Sequence, residues 1–258
     1  MDRSAAFAAL IEADPAEKVR LTRAALAAID VTGADTVLAA SAPGRPQRPE
    51  LVHPARVPQR GSGSAAGRAA LIHAITHIEF NAINIALDAV CRFGGMPAAY
   101  YTDWMQVASE EALHFSLLAA HLNTLGHAYG DFPAHNGLWE MADLTRDDVL
   151  ARMALVPRIL EARGLDVTPA IRAKLHHQGD LAAAEILDTI LADEVGHVAI
   201  GNHWYRWLCE ERGVDPMLVF GQLMIQHRAP KIRPPLNRPA RLAGGFTIAE
   251  LDAWETGG

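Results

Sequence analysis

Ser109-Glu110-Glu111-Ala112-Leu113-His114 and Ala192-Asp193-Glu194-Val195-Gly196-His197 follow one plan: two adjacent acids, then a histidine three positions after the second. On a helix, a Glu and a His at i and i+3 leave the same face about one turn apart, so a carboxylate and a ring nitrogen can reach one point. Each stretch is preceded by another glutamate at nearly the same distance, 32 residues from Glu79 to Glu111 and 33 from Glu161 to Glu194. At about 100° per residue, Glu79 shares its stripe with Ile72, Ile75, Ala82, Ile83, Ala86 and Val90. Trp104, Ala108, Phe115, Leu118 and Leu122 flank Glu111 and His114, and Leu187, Ile190, Val198, Gly201 and Tyr205 flank Glu194 and His197. Glu161 is in register with Ala154, Pro157 and Leu165. A carboxylate inside an apolar stripe has to be paired, protonated or bound to a metal.

Outward from these residues the chain is Ala-, Leu- and Ile-rich with helical periodicity and no useful run of strand alternation. The pattern predicts long helices over 65–92, 97–125, 145–163 and 180–212. Gly94-Gly95-Met96-Pro97 is a tight turn, so the first two are antiparallel, and the last two, joined through 164–179 with a short helix opened by Thr168-Pro169, form a second antiparallel pair. Between the pairs lie some twenty residues, Gly126 to Leu144. Extended, that length covers about 60 Å, against about 37 Å for a helix of about 25 residues, so it allows a crossover. The fold class expected is all-α, a ferritin-like four-helix bundle of two antiparallel hairpins with one long crossover. Residues 1–64 form an N-terminal helical preface (helical pattern to Ile29) and an extended Pro/Gly/Ser/Arg segment; 65–212 form the bundle; 213–258 form a C-terminal helix at 216–226 and a Pro-rich extension ending near 248–254. The three parts read as one structural domain.

The chain has 258 residues, half of them hydrophobic and a fifth charged, and a formal net charge of −7, which argues against a protein that wraps duplex nucleic acid. Two cysteines, Cys91 and Cys209, cannot build a disulfide scaffold and read as two buried thiols; a reducing cytoplasm is the expected compartment. The least polar stretch, 69–87, carries His73, His77, Glu79, Asn81 and Asn84 and reads as a buried helix, so no membrane partner is expected. The flanks are basic: Arg45, Arg48, Arg56, Arg60 and Arg68 on one side, Arg228, Lys231, Arg233, Arg238 and Arg241 on the other. Either they form a face for a phosphate-bearing partner or they pin the extensions to acidic residues.

Four glutamates and two histidines, arranged as one Glu on each of two helices and a Glu-x-x-His on each of the other two, are the ligand set of di-iron and di-manganese carboxylate proteins. The predicted metal ligands are therefore Glu79, Glu111, His114, Glu161, Glu194 and His197. Oxygen-rich ligation with one imidazole per ion suits two Fe, or Mn or mixed Fe/Mn, with Zn as an adventitious occupant. Glu110 and Asp193 are candidates to accept hydrogen bonds from the non-ligating nitrogens of His197 and His114. Glu161 also admits another reading, a solvated face or a salt bridge to Arg158. His73 and His77 lie off the Glu79 face and read as satisfied core histidines, and Tyr205 as a packed aromatic.

The phrases Ala74-Ile75-Thr76-His77-Ile78-Glu79, Tyr129-Gly130-Asp131-Phe132-Pro133-Ala134-His135, Leu155 to Asp166 and Asp193-Glu194-Val195-Gly196-His197 resemble a bacterial family of ferritin-like proteins known only as a domain of unknown function. The likeness runs over nearly the whole chain, and more distantly it is similar to tRNA-modifying di-iron hydroxylases. It implies a di-metal bundle and names no substrate. The function expected is an O₂-dependent di-iron oxidoreductase or hydroxylase that uses O₂ and an external electron donor on a small molecule or a modified nucleoside, in a chain that can oligomerise. The alternatives are an iron-handling or peroxide-detoxifying ferroxidase-like protein, a di-manganese redox protein, and a non-enzymatic ferritin-like binding module.

Overall fold

A computed structural model describes residues 3–27, 37–58 and 63–256. Ile29, Arg60 and the Gly61-Ser62 dipeptide lie outside the described residues. The described residues are mostly helical, with one isolated bridge, Leu51 to Ala134, and no strand, so the protein is all-α. It divides into two compact units, Met1–Trp139 and Glu140–Gly258.

In the first unit, α1 (Ser4–Ile11) and α2 (Pro15–Ala27) precede two long helices, α3 (Ala65–Arg92) and α4 (Ala98–Thr124), and the predicted 65–92 and 97–125 match these to within one residue. Ser64 starts α3, its side chain accepting from the Gly67 N–H at 3.0 Å. The chain reverses through Gly95 at φ +72°, a backbone state that glycine adopts without a Cβ clash. The Tyr101 hydroxyl donates to the Phe93 carbonyl (3.0 Å) and that of Tyr100 to the Ala89 carbonyl (3.4 Å) beside the turn, and farther along Phe80 packs against Phe115 with centroids 5.6 Å apart, so α3 and α4 are antiparallel.

Cationic side chains close the helix ends, where carbonyls lack intrahelical donors and the macrodipole is negative. Arg3 Nη1 reaches the carbonyls of Val90, Phe93 and Cys91 at 2.9, 3.1 and 3.3 Å. Lys18 Nζ reaches those of Ala9 and Leu10, both at 2.8 Å. Burial lowers the Lys18 pKa to about 7. By length and hydropathy α3 could cross a membrane, but its polar His73, His77, Asn81, Asn84 and Asp88 are buried with the rest of it.

α5 (Gly137–Leu144) lies in the segment read as the crossover, and the boundary between the units falls within it. The second unit contains α6 (Val149–Leu155), a π-helical turn (Val156–Glu161), α7 (Ala162–His177), α8 (Leu181–Glu211), α9 (Pro216–Gln226), α10 (Arg238–Ala243) and α11 (Ile248–Thr256). α8 and α9 meet the sequence boundaries, whereas α10 adds a helix to the stretch read as an extension.

The third long helix needs correction. It was expected to stop at 163, yet the chain stays helical from Val149 to His177 and passes through Pro157 and Pro169. Pro157 has no N–H for the Met153 carbonyl, and around it the ladder slips to the wider π spacing. Pro169 leaves the Leu165 carbonyl without its helical donor, and Asn237 Nδ2 replaces it at 3.0 Å.

α7 and α8 are antiparallel, since Arg172 pairs with Asp188 at 2.9 Å near their shared turn and Leu165 packs with Val198 further along. α8 comes so close to the π turn that a Cβ at Gly201 would collide with Pro157 Cβ and Cγ. Arg158 is buried beneath Tyr205 and Phe220, 4.0 and 4.6 Å from their ring centroids, and pairs with Glu250. The proposed bridge from Arg158 to Glu161 is thus replaced by one to Glu250, a partner in α11 that local spacing could not reveal. We expect Gly201→Ala to lower stability by about 1–3 kcal/mol, read as a lower denaturant midpoint at unchanged slope; an unchanged midpoint would contradict the close packing.

Candidate metal centre

α3 carries Glu79, and α4 carries Glu111 and His114 one turn apart. The antiparallel register of the hairpin brings the three together: His114 Nδ1 lies 3.2 Å from Glu111 Oε2 and 3.6 Å from Glu79 Oε2. One ligand atom from each falls within 4.8 Å of the other two, and all three side chains are buried. Glu79 Oε2 is sealed from solvent and accepts no hydrogen bond.

Burial, and then the neighbouring Glu111 charge, push the Glu79 carboxyl up to about 8. Burial works against a charged imidazole, but the hydrogen bond with Glu111 and the charges of Glu111 and Glu79 outweigh it and raise His114 to about 11. In the absence of a metal the cluster therefore holds protons at neutral pH. Two carboxylate oxygens and one imidazole nitrogen crowded into a buried site, one oxygen lacking a donor, could hold a divalent cation.

The second unit repeats the helical part of this arrangement. In α8, His197 Nδ1 faces Glu194 Oε2 at 3.8 Å, the same atoms in the same order as His114 and Glu111. Glu161 ends the π turn and is 8 % exposed, so the reading of it as a solvated residue is set aside. Opposite Glu161 in the hairpin runs the part of α8 that carries His197 and Val198, since Pro157 meets Gly201 and Leu165 meets Val198. Glu110 is half-buried and accepts from Gln106 Nε2 at 2.7 Å, and Asp193 is half-buried.

A polar network in the first unit involves residues read from sequence as core or loop. Arg45 Nη2 donates to Asn81 Oδ1 (3.1 Å), which orients the Asn81 amide so that Nδ2 donates to His77 Nε2 (3.0 Å). His77 is therefore protonated on Nδ1 and donates to the Tyr129 oxygen at 2.9 Å. Burial lowers His77 and His73 to about 4, so both are neutral, and His73 Nε2 accepts the Gly130 N–H at 2.9 Å. Tyr129 also packs on Phe80 and Phe115, chain neighbours of Glu79 and His114, with centroids 5.5 and 5.1 Å away. The network ties the segment after α4 to α3. Both cysteines are buried free thiols, and Tyr205 is a packed aromatic whose hydroxyl donates to the Pro216 carbonyl.

In metal-free protein, Glu79 keeps a proton between pH 4.5 and about 8 that the unfolded chain releases, so this group makes stability fall as pH rises through that window. We expect Glu79→Gln to remove that fall. Its stability relative to the parent, measured by denaturant unfolding after chelation, should increase from pH 5 to 8 by on the order of 1 kcal/mol or more; a difference that does not change with pH would contradict the assignment.

Comparison with known proteins places the chain. A family model described as "Protein of unknown function (DUF455)" matches residues 11–252. An uncharacterized protein of Haemophilus influenzae is 52% identical over 214 residues, covering 80% of this chain and 74% of that protein. No solved structure matches. The family match over nearly the whole length and this relative together show that the chain belongs to the DUF455 family.

Proposed function

We propose that the protein is a ferritin-like di-metal carboxylate protein that uses two iron ions in an O₂-dependent oxidation of an organic substrate. The observation that carries this reading is the buried Glu79, Glu111 and His114 cluster, in which two carboxylates face one imidazole nitrogen and Glu79 Oε2 has no hydrogen-bond donor. Support comes from the same Glu-to-His geometry at Glu194 and His197, and from two antiparallel hairpins linked by a long connection, as in ferritin-like bundles. The proposed ligands are Glu79, Glu111, His114, Glu161, Glu194 and His197, with manganese as the alternative metal.

Held by these six residues, two ferrous ions would supply electrons for O₂ reduction, to be restored by an external donor. The four carboxylates nearly balance the charge of two divalent ions. Glu79 and His114 give up their protons when metal is taken up, so affinity should rise with pH. The packed rings of Phe80, Phe115 and Tyr129 keep water from the neighbourhood of the first cluster.

Tag-free protein purified without chelator is expected to hold about two iron ions per chain by mass spectrometry. After anaerobic Fe(II) loading, exposure to air should produce the near-ultraviolet band of oxidised iron. Replacing both Glu111 and Glu194 by Ala should abolish both signals; metal content unchanged by that replacement would overturn the reading. Manganese in place of iron would point to the di-manganese protein, and rapid Fe(II) oxidation by a large cage without organic substrate to an iron-handling one.

A further inference from the structure

The second unit contains a cleft of about 290 Å³ between the helical turn at Ile159-Leu160 and the segment 230–233. Arg163, Lys231, Arg233 and Arg241 line it, and Asp166 is the one carboxylate among its lining residues. That carboxylate is already engaged, because Arg241 grips it with both prongs, Nε to Oδ1 at 2.9 Å and Nη2 to Oδ2 at 2.8 Å.

Arg241 is 1 % exposed, yet its Nη1 has no hydrogen-bond acceptor, a costly state for a buried guanidinium. Arg163 Nη1 donates to the Arg233 carbonyl at 3.2 Å and so holds in place the segment that brings Lys231 and Arg233 to the cleft. Among the described residues neither Lys231 nor Arg233 pairs with a carboxylate. This separates them from Arg238 of the same basic stretch, which Asp252 and Glu255 neutralise at 2.9 and 2.7 Å. Part of that stretch therefore pins the extension, as the sequence allowed, and part does not.

Four cations against one carboxylate leave more positive charge than a single carboxylate ligand would neutralise, in an overall acidic protein. A multivalent oxyanion answers that excess, and guanidinium groups match its oxygens in pairs. The volume lies at the lower end of ligand pockets, which suits a small molecule rather than a polymer. We propose that this cleft binds a phosphate-bearing small molecule through Arg163, Lys231 and Arg233, with Arg241 Nη1 as the buried donor awaiting an acceptor. The inference does not depend on the metal reading.

The test is calorimetric titration of the full chain, stripped of metal, with pyrophosphate and separately with adenosine diphosphate. The comparison protein is Lys231→Glu/Arg233→Glu, which alters two exposed side chains. Binding that weakens with added salt and drops about tenfold or more in the variant is the expected result. Tighter binding of the nucleotide than of pyrophosphate would identify a nucleotide as the source of the phosphate, and equal binding the phosphate group alone. Absence of binding by both ligands, equal binding by the variant, or variant-sensitive binding of a short single-stranded RNA without either small ligand would overturn the proposal.

Discussion

Two buried carboxylates facing one imidazole nitrogen are the constraint on which the rest of the first unit depends. His114 Nδ1 stands 3.2 Å from Glu111 and 3.6 Å from Glu79, and all three are shielded from solvent. Proteins keep such charges inside only when protons, partners or metal ions offset the cost of leaving water. The hairpin is built to hold them at fixed places. Ser64 sets where α3 starts, Gly95 turns the chain, and Arg3 closes the end of α3 by taking three carbonyls. Because α3 is buried around most of its circumference, a shift of Glu79 by one residue would move a whole apolar stripe.

The second unit meets the same demand with a helix that contains two prolines. Pro157 is accommodated by a π turn and by the missing side chain of Gly201, and Pro169 by the amide of Asn237. π turns of this kind concentrate at functional positions, and Glu161 is the last residue of this one. The C-terminal segments fasten the helix from outside through buried arginines: Arg158 to Glu250 under aromatic rings, and Arg241 to Asp166. Pairs of this kind contribute little net stability compared with apolar packing, but breaking one leaves an unpaired buried charge, so each one fixes position.

Features carried by local sequence were legible. α3 runs over 65–92 as the periodicity implied, and α8 and α9 agree to within a residue, with Asp180 and Asp215 capping their first turns locally. The Glu79, Glu111 and His114 cluster could be read because its three members recur at helical spacing in apolar stripes. Features set by distant partners were not legible. The helix through Pro169 depends on an amide 72 residues from the carbonyl it satisfies, and Glu250 finds Arg158 from 92 residues away. The split among the arginines of the last segment also escaped composition, since it rests on which of them meets a carboxylate in three dimensions.

Anomalous X-ray diffraction from crystals of the metal-loaded protein, recorded on both sides of the iron and manganese absorption edges, tests the central claim most directly. The expected result is two anomalous peaks per chain, one beside Glu79, Glu111 and His114 and one beside Glu161, Glu194 and His197. Density maps without a peak at these residues, in crystals grown with excess metal, would contradict it and leave the buried carboxylates held by protons alone.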